Sequence, residues 1–198
     1  MNNTPRIIGL AGTNGSGKDS VGKILTTQHG FLFVSVTEIL RAELHKRGVE
    51  VSRENLRMLS AEWRHESGHQ GILADKAVAE YEKSPNRFKG LAIASLRHPG
   101  EADRVHELHG IMVWIDAGPR LRYERIQANA ASRQRKGEDN KTFEQFQAEE
   151  IIEMNIPGNT DSAVLNMSAV KVRCDYFINN ESNDLMNLLN DVNKLFKA

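Results

Sequence analysis

A single cysteine, Cys174, is the whole thiol content of the chain. It excludes an internal disulfide framework and a zinc site built from cysteines alone. Net charge is equally absent: 26 Lys and Arg stand against 26 Asp and Glu. Non-specific affinity for nucleic acid needs a large basic excess, so bulk nucleic-acid binding is not expected. No apolar run approaches about 18 residues, so no membrane-spanning helix is expected. The apolar block Ile7–Leu10 is too short for a signal peptide. Together these absences predict a cytoplasmic protein. With only five prolines, the chain has no Pro-rich linker, and it shows no internal repeat or low-complexity stretch. What is present is 198 residues, 39% hydrophobic and 26% charged. That is enough for one domain whose core needs neither disulfide nor metal.

Short apolar runs alternate with amphipathic stretches. Arg6–Ala11, Phe31–Ser35, Leu91–Ser95, Ile111–Asp116 and Asp175–Asn179 read as strands. Lys18–Gln28 and Asn183–Phe196 read as helices. A longer helical region, Thr37 to about Lys83, is interrupted near Gly48 and at Gly68–Gly71. Apolar strands separated by helices predict an α/β fold with a parallel sheet covered on both faces, joined by right-handed crossovers.

The neutral average hides two blocks. Arg120–Lys136 holds six basic residues and one acid, whereas Gly137–Met154 holds six acids and one lysine. Such blocks form either a solvated helix–loop–helix with compensating faces or a basic arm that meets phosphates.

The most specific motif is Gly12-Thr13-Asn14-Gly15-Ser16-Gly17-Lys18. It follows an expected strand and opens an expected helix, the context a phosphate-binding P-loop requires. The loop N–H groups and the helix N-terminus cradle an anion, and Lys18 reaches the β- and γ-phosphates. These residues, with Asp19 and Ser20, are the candidate ATP site. Asp19 stands where a magnesium-ligating hydroxyl is usual. It is therefore the candidate Mg²⁺ ligand, and nucleotide binding is expected to be strongly metal-dependent. A GTPase is not expected, because Asn140-Lys-Thr-Phe143 lacks the Asp of the N-K-x-D base-reading motif.

Further segments carry a resemblance. Ser35-Val-Thr-Glu-Ile-Leu-Arg41 is similar to the S-T-G-D-x-L-R segment of adenylate kinases and other nucleoside monophosphate kinases, with Glu38 in place of Asp. Ala94-Ser-Leu-Arg97 resembles their D-G-x-R segment, with Ala94 in place of the acid. Together with Glu101 it resembles the D-G-I-R-x-x-x-E segment of archaeal proteins related to dephospho-CoA kinase. Arg122-Tyr-Glu-Arg125 matches the R-Y-E-R of the same group. Ser132-Arg133-Gln-Arg135-Lys136 looks like a short LID, with Thr142-Phe-Glu-Gln145 as a capping box for the return helix. Cys174-Asp-Tyr-Phe-Ile-Asn-Asn180 resembles the last strand and Asn-rich turn of dephospho-CoA kinases, beside the adenine.

The resemblance spans about residues 6–196. It implies a single P-loop kinase domain: five parallel strands between helices, an acceptor-binding insertion over 37–87, and a LID at about 130–141. It also implies ATP and Mg²⁺ as cofactors and a small phosphorylated nucleotide as acceptor. Arg41 and Arg97 would hold the acceptor phosphate, Arg133 and Arg135 would close over the transferring group, and Asn180 would lie beside the adenine. Dephospho-CoA kinase is the alternative, with Glu38 as the available base. A non-catalytic ATP-binding sensor is the alternative of another class, favoured by Ala94 and by a return helix without an arginine near Glu149.

Other residues have two readings. His65-Glu-Ser-Gly-His69 matches the helical H-E-x-x-H zinc signature, but it also reads as a solvated helix end or as part of the acceptor pocket with Arg64. Trp63 is either core or a stacking surface for an acceptor base, whereas Trp114 reads as core. His98 reads as a turn residue or an acceptor contact, and Cys174 as a small packed side chain.

Overall fold

The computed structural model describes residues 6–129, 141–155 and 161–196. Strand β1 (Ile7–Gly12) leads into α1 (Lys18–His29) and β2 (Phe31–Ser35). Three helices follow: α2 (Val36–Lys46), α3 (Arg53–Ser67) and α4 (Ile72–Glu82). The chain returns to the sheet as β3 (Gly90–Leu96), then α5 (Pro99–Glu107), β4 (Ile111–Asp116) and α6 (Pro119–Ala128). Helices α7 (Phe143–Met154) and α8 (Met167–Val172) precede β5 (Tyr176–Asn179) and α9 (Leu185–Lys194). The five expected strands form, and both expected breaks fall between α2, α3 and α4. The six-residue α8 had no counterpart in the sequence reading, because fewer than two turns leave no readable period.

The strands lie in the order β2-β3-β1-β4-β5, every neighbouring pair parallel. The phosphate loop therefore leaves the middle of the sheet, with β3 and β4 ending on either side. Alternation sorts the side chains. Ile8, Leu10, Ala92, Ala94, Val113 and Ile115 face a core completed by α1 and α9. Leu91, Ile93, Met112 and Trp114 face the opposite core, with the α2–α4 insertion, α5 and α8. Trp63 belongs to this second core at 9% exposure, with the Lys76 ammonium 4.0 Å from its ring centroid.

One irregularity sits where β3 meets the site. Leu10 pairs with Ala94, but Ala11 pairs with Leu96, so Ser95 is bulged out of register. Ser95 has φ 68, in the left-handed region that L side chains enter at a cost. The bulge turns Leu96 into the insertion-side core and re-aims the chain just before Arg97, as bulges beside sites do.

Helix α9 links the two ends of α1. Leu185 and Leu188, near its start, line the cavity described below. Past its end, Phe196 stacks on His29 at 3.9 Å between ring centroids, and His29 Nε2 lies 2.9 Å from Asn193 Oδ1. Among the described residues, no helix is long and apolar enough to cross a membrane.

Candidate functional site

The loop between β1 and α1 is built by close approach. Gly12 (φ 139) lies so near β4 that a Cβ there would overlap the Ile115 carbonyl oxygen. Gly17 (φ 104) lies against the side-chain amide of Asn180, which a Cβ would strike. Both backbone conformations are open to glycine and costly for other residues. Lys18 folds back over the loop: its Nζ donates to Gly12 O at 2.7 Å and to Thr13 O at 2.6 Å. Burial, and then the positive charge of Arg97, lower its pKa from 10.5 to about 7. An anion arriving in the loop would therefore meet a lysine ready to take up a proton.

Two strand ends brace this loop. Asn180, just past β5, donates from Nδ2 to Ser16 O at 2.9 Å. Asp116, the last residue of β4, accepts from Thr13 Oγ1 at 2.6 Å, from Ala117 N at 2.9 Å and from Trp114 Nε1 at 3.2 Å. Arg122 closes the outer side: it donates to Asn14 O at 3.2 Å and forms a bidentate pair with Glu150 of α7 at 2.6 and 2.8 Å.

A cavity of about 490 Å³ runs along the C-terminal ends of the strands. One end is lined by Arg125, Asn129, Asn180 and the Ser182–Leu185 turn. Asn14, Gly15, Gly17, Lys18, Asp19 and Ser20 form its middle. The far end is lined by Arg41, Arg53, Arg57, Arg64 and Arg97 over Leu40, Leu56, Leu73 and Leu165. This is the crevice where open parallel sheets bind ligands.

The far end carries its own carboxylates. Glu153 of α7 sits between two guanidiniums: its Oε1 lies 2.6 Å from both Arg53 Nη1 and Arg97 Nη1. Burial alone would raise the Glu153 carboxyl, but the charges of Arg97 and Arg53 more than offset that and hold it at about 2. Glu149 lies 3.3 Å from Arg53 Nε. Arg41 pairs with Glu38 one turn away at 3.3 Å. Arg64, 1% exposed, donates to Glu101 at 2.6 Å and to Ala163 O at 2.9 Å. Glu101 Oε2 accepts from the backbone N–H of Arg97 at 2.7 Å and of His98 at 3.1 Å, fixing the turn after β3.

The sequence-assigned residues fall into three groups. Asn14, Gly15, Gly17, Lys18, Asp19, Ser20, Arg41, Arg97 and Asn180 line the one cavity. Gly12, Thr13 and Ser16 lie beneath it and shape the loop. Arg133 and Arg135, with most of the expected LID, lie outside the described residues. The return helix begins with the expected capping box: Thr142 Oγ1 accepts from Gln145 N, and Gln145 Oε1 accepts from Thr142 N. Glu38 is exposed on the flank of α2 and does not line the cavity. Ala94 is fully buried in the core, so that strand end offers no carboxylate.

Arg53, Arg57, Glu150 and Glu153 carry no motif of their own in the sequence, and Arg122, part of the R-Y-E-R match, gains its partner Glu150 only in the fold. The Arg53–Glu153 pair spans 100 residues of chain, and no local pattern announces such a partner. The one hint was the acidic block, of which Glu149, Glu150 and Glu153 pair with Arg53, Arg122 and Arg97.

The decoys resolve locally. Helix α3 ends at Ser67, so His65 and His69 do not share a helical face. His65 pairs with Asp161 and His69 with Asp75, and the described residues contain no cluster of three metal-ligating side chains. His98 caps α5, accepting at Nδ1 from Gly100 N, with Nε2 2.7 Å from Ser162 O. Burial, and then Arg64, lower its pKa, which keeps the ring neutral for that cap. Burial raises the Cys174 thiol to about 12, so it is not a nucleophile.

Comparison with known proteins agrees with this architecture. The family model described as an AAA domain matches residues 8–151. The UPF0200 protein of Thermococcus kodakarensis is 32% identical over 148 residues, covering 71% of this chain and 75% of that protein. The UPF0200 protein of Pyrobaculum aerophilum is 24% identical over 191 residues, covering 96% and 95%. Among solved structures, shikimate kinase from Acinetobacter baumannii in complex with shikimate superposes with a TM-score of 0.58 at 14% identity, covering 99% of this chain and 94% of that one. A gluconokinase from Sinorhizobium meliloti does so with a TM-score of 0.52 at 13% identity, covering 98% and 93%. At such identities the likeness is one of fold.

Proposed function

We propose, for a chain that belongs to the AAA domain family and to the UPF0200 proteins, ATP- and Mg²⁺-dependent phosphoryl transfer to a small phosphorylated nucleotide, a nucleoside or deoxynucleoside monophosphate. One observation carries this reading: a single cavity joins the phosphate loop to an arginine-lined end built on the α2–α4 insertion. A site for hydrolysis alone has no need of that second, cationic end. Two of the solved proteins sharing the fold are named as small-molecule kinases, which supports the general class of reaction.

In this reading Lys18 and the loop amides hold the triphosphate, and Asn180 keeps the loop in its anion-binding shape. Arg41 and Arg97 orient the acceptor phosphate. Catalysis is then positioning and charge neutralisation, with no base needed for an acceptor oxygen that is already anionic. The donor set also suits magnesium. Asp19 is exposed at the cavity wall with no ion pair among the described residues, and Mg²⁺ is commonly held by one or two carboxylates plus phosphate oxygens. When bound, the ion neutralises phosphate charge.

The dephospho-CoA kinase reading ranks second because Glu38, its candidate base, stands outside the cavity. An acceptor panel with ATP and Mg²⁺ tests the proposal, using nucleoside and deoxynucleoside monophosphates, dephospho-CoA, and no acceptor. Phosphorylation of a monophosphate is expected. Transfer to dephospho-CoA alone would replace the proposal, and ATP binding without transfer to any acceptor would turn it into a sensor.

A further inference from the structure

The bond between Glu153 and its two arginines is economical. A single oxygen, Oε1, takes both Arg53 Nη1 and Arg97 Nη1. Around it, buried donors remain unmade: Arg97 Nε and Arg57 Nη1 have no hydrogen-bond partner among the described residues. Buried guanidinium N–H groups are rarely left so, and here all three arginines line the cavity. Arg57 also has no ion pair among the described residues, whereas Arg41, Arg64 and Arg97 each pair with a carboxylate and Arg53 pairs with two. One oxygen of Glu153 thus bridges Arg53 and Arg97, with Glu149 Oε2 beside Arg53 Nε, and the donors on Arg97 and Arg57 remain for further acceptors. A tetrahedral oxyanion presents three or more acceptor oxygens and makes strong, charge-assisted bonds to such forks.

We propose that Arg53, Arg57 and Arg97 form a second oxyanion seat, separate from the phosphate loop, and that Glu153 is its resident competitor. A phosphate entering the seat takes over the two N–H groups that Glu153 holds and satisfies those left unmade on Arg97 and Arg57. Glu153 thereby sets the affinity of the seat. In naming the acceptor's phosphate as the natural occupant, this inference rests on the phosphotransferase reading. It adds two arginines of α3 and a carboxylate of α7 to the acceptor's recognition.

The test uses inorganic phosphate, without ATP or acceptor, and reads thermal unfolding of the full chain across a phosphate titration. Glu153 also acts through its charge on Lys18 of the phosphate loop, so the seat's own share is the part of the gain that Arg57→Gln removes. Glu153→Gln should unfold at lower temperature in phosphate-free buffer and recover with phosphate, at a midpoint at least about tenfold below that of the parent. Glu153→Asp keeps the charge but shortens its reach, and it should shift the midpoint in the same direction. It serves as the readout if Glu153→Gln fails to fold. Adding Arg57→Gln to either variant should abolish the seat's share of the gain. A phosphate response in both Glu153 variants equal to the parent's would overturn the proposal, as would a gain that survives Arg57→Gln undiminished. If the gain is found while the acceptor panel shows no transfer, the kinase reading fails and the seat stands. The converse pair of results removes the seat alone.

Discussion

Arg64 Nη2 and Glu101 Oε1 lie 2.6 Å apart with both side chains 1% exposed, and this pair ties the α2–α4 insertion to the turn that carries Arg97. Buried pairs gain little over apolar replacements, but leaving one partner alone is costly. Glu101→Gln should therefore destabilise the protein by about 3–5 kcal/mol in urea unfolding. The double replacement Arg64→Met with Glu101→Leu should cost less than the sum of Arg64→Met alone and Glu101→Leu alone. Equal and additive losses would mean the two residues act independently.

Nucleotide binding is expected to take up a proton at Lys18. Its folded pKa of about 7 lies below the ordinary 10.5. Between those values the unfolded chain binds the extra proton, so stability of the unliganded protein should rise with pH through this window. Bound phosphates restore the charged form. Calorimetry of ADP binding at pH 8 in buffers of differing ionisation enthalpy should report uptake of up to about one proton, and Lys18→Met should report none from this site.

Asp19 should govern the metal requirement. Asp19→Ala is expected to bring ATP affinity with and without Mg²⁺ closer together, weakening the first and improving the second, because the carboxylate repels phosphate when no cation lies between them. An unchanged ratio of the two affinities would remove Asp19 from the metal site.

Asn180 braces the loop from the far edge of the sheet. Asn180→Ala deletes one neutral hydrogen bond to Ser16 O, worth about 1 kcal/mol. The unfolding midpoint should fall by about 2–4 °C, and ADP should bind up to about fivefold more weakly because the loop loses its brace. A large stability loss with normal ADP affinity would reassign the residue to the core.

Ser95 holds a left-handed conformation at φ 68. Ser95→Gly should relieve about 0.5–1 kcal/mol of that strain, raising the midpoint of thermal unfolding by about 2 °C. A lower midpoint would show that the hydroxyl is needed at the bulge.

Much of the fold was legible because its signals are local. The phosphate loop, the continuous apolar strands and the Thr142–Gln145 cap are each written within a few neighbouring residues. The central position of β1 and the order β2-β3-β1-β4-β5 were not legible, because strand pairing is chosen by contacts between segments distant in the chain. The charge chemistry of the site was less legible. Arg97 was identified from its segment, but its partner Glu153 lies on a helix more than fifty residues later, chosen by three-dimensional proximity. The opposite-sign blocks suggested mutual compensation between neighbours. In the described residues Glu149 pairs with its near neighbour Lys141 and also reaches Arg53, Glu153 reaches Arg53 and Arg97, and of the ion pairs only Arg122–Glu150 joins the two blocks. Arg57 has no sequence context at all. It reads as one more polar residue on α3 until the cavity gives it a direction.

The stack of Phe196 on His29 places an aromatic pair at the opposite end of α1 from Lys18, about 18 Å along the helix axis. Leu185 and Leu188 near the start of α9 line the cavity, and Phe196 just past its end lies on that ring pair. One amphipathic helix thus touches both the cavity wall and the far end of α1, so a substitution at the His29–Phe196 stack bears on the seating of the helix that forms part of that wall.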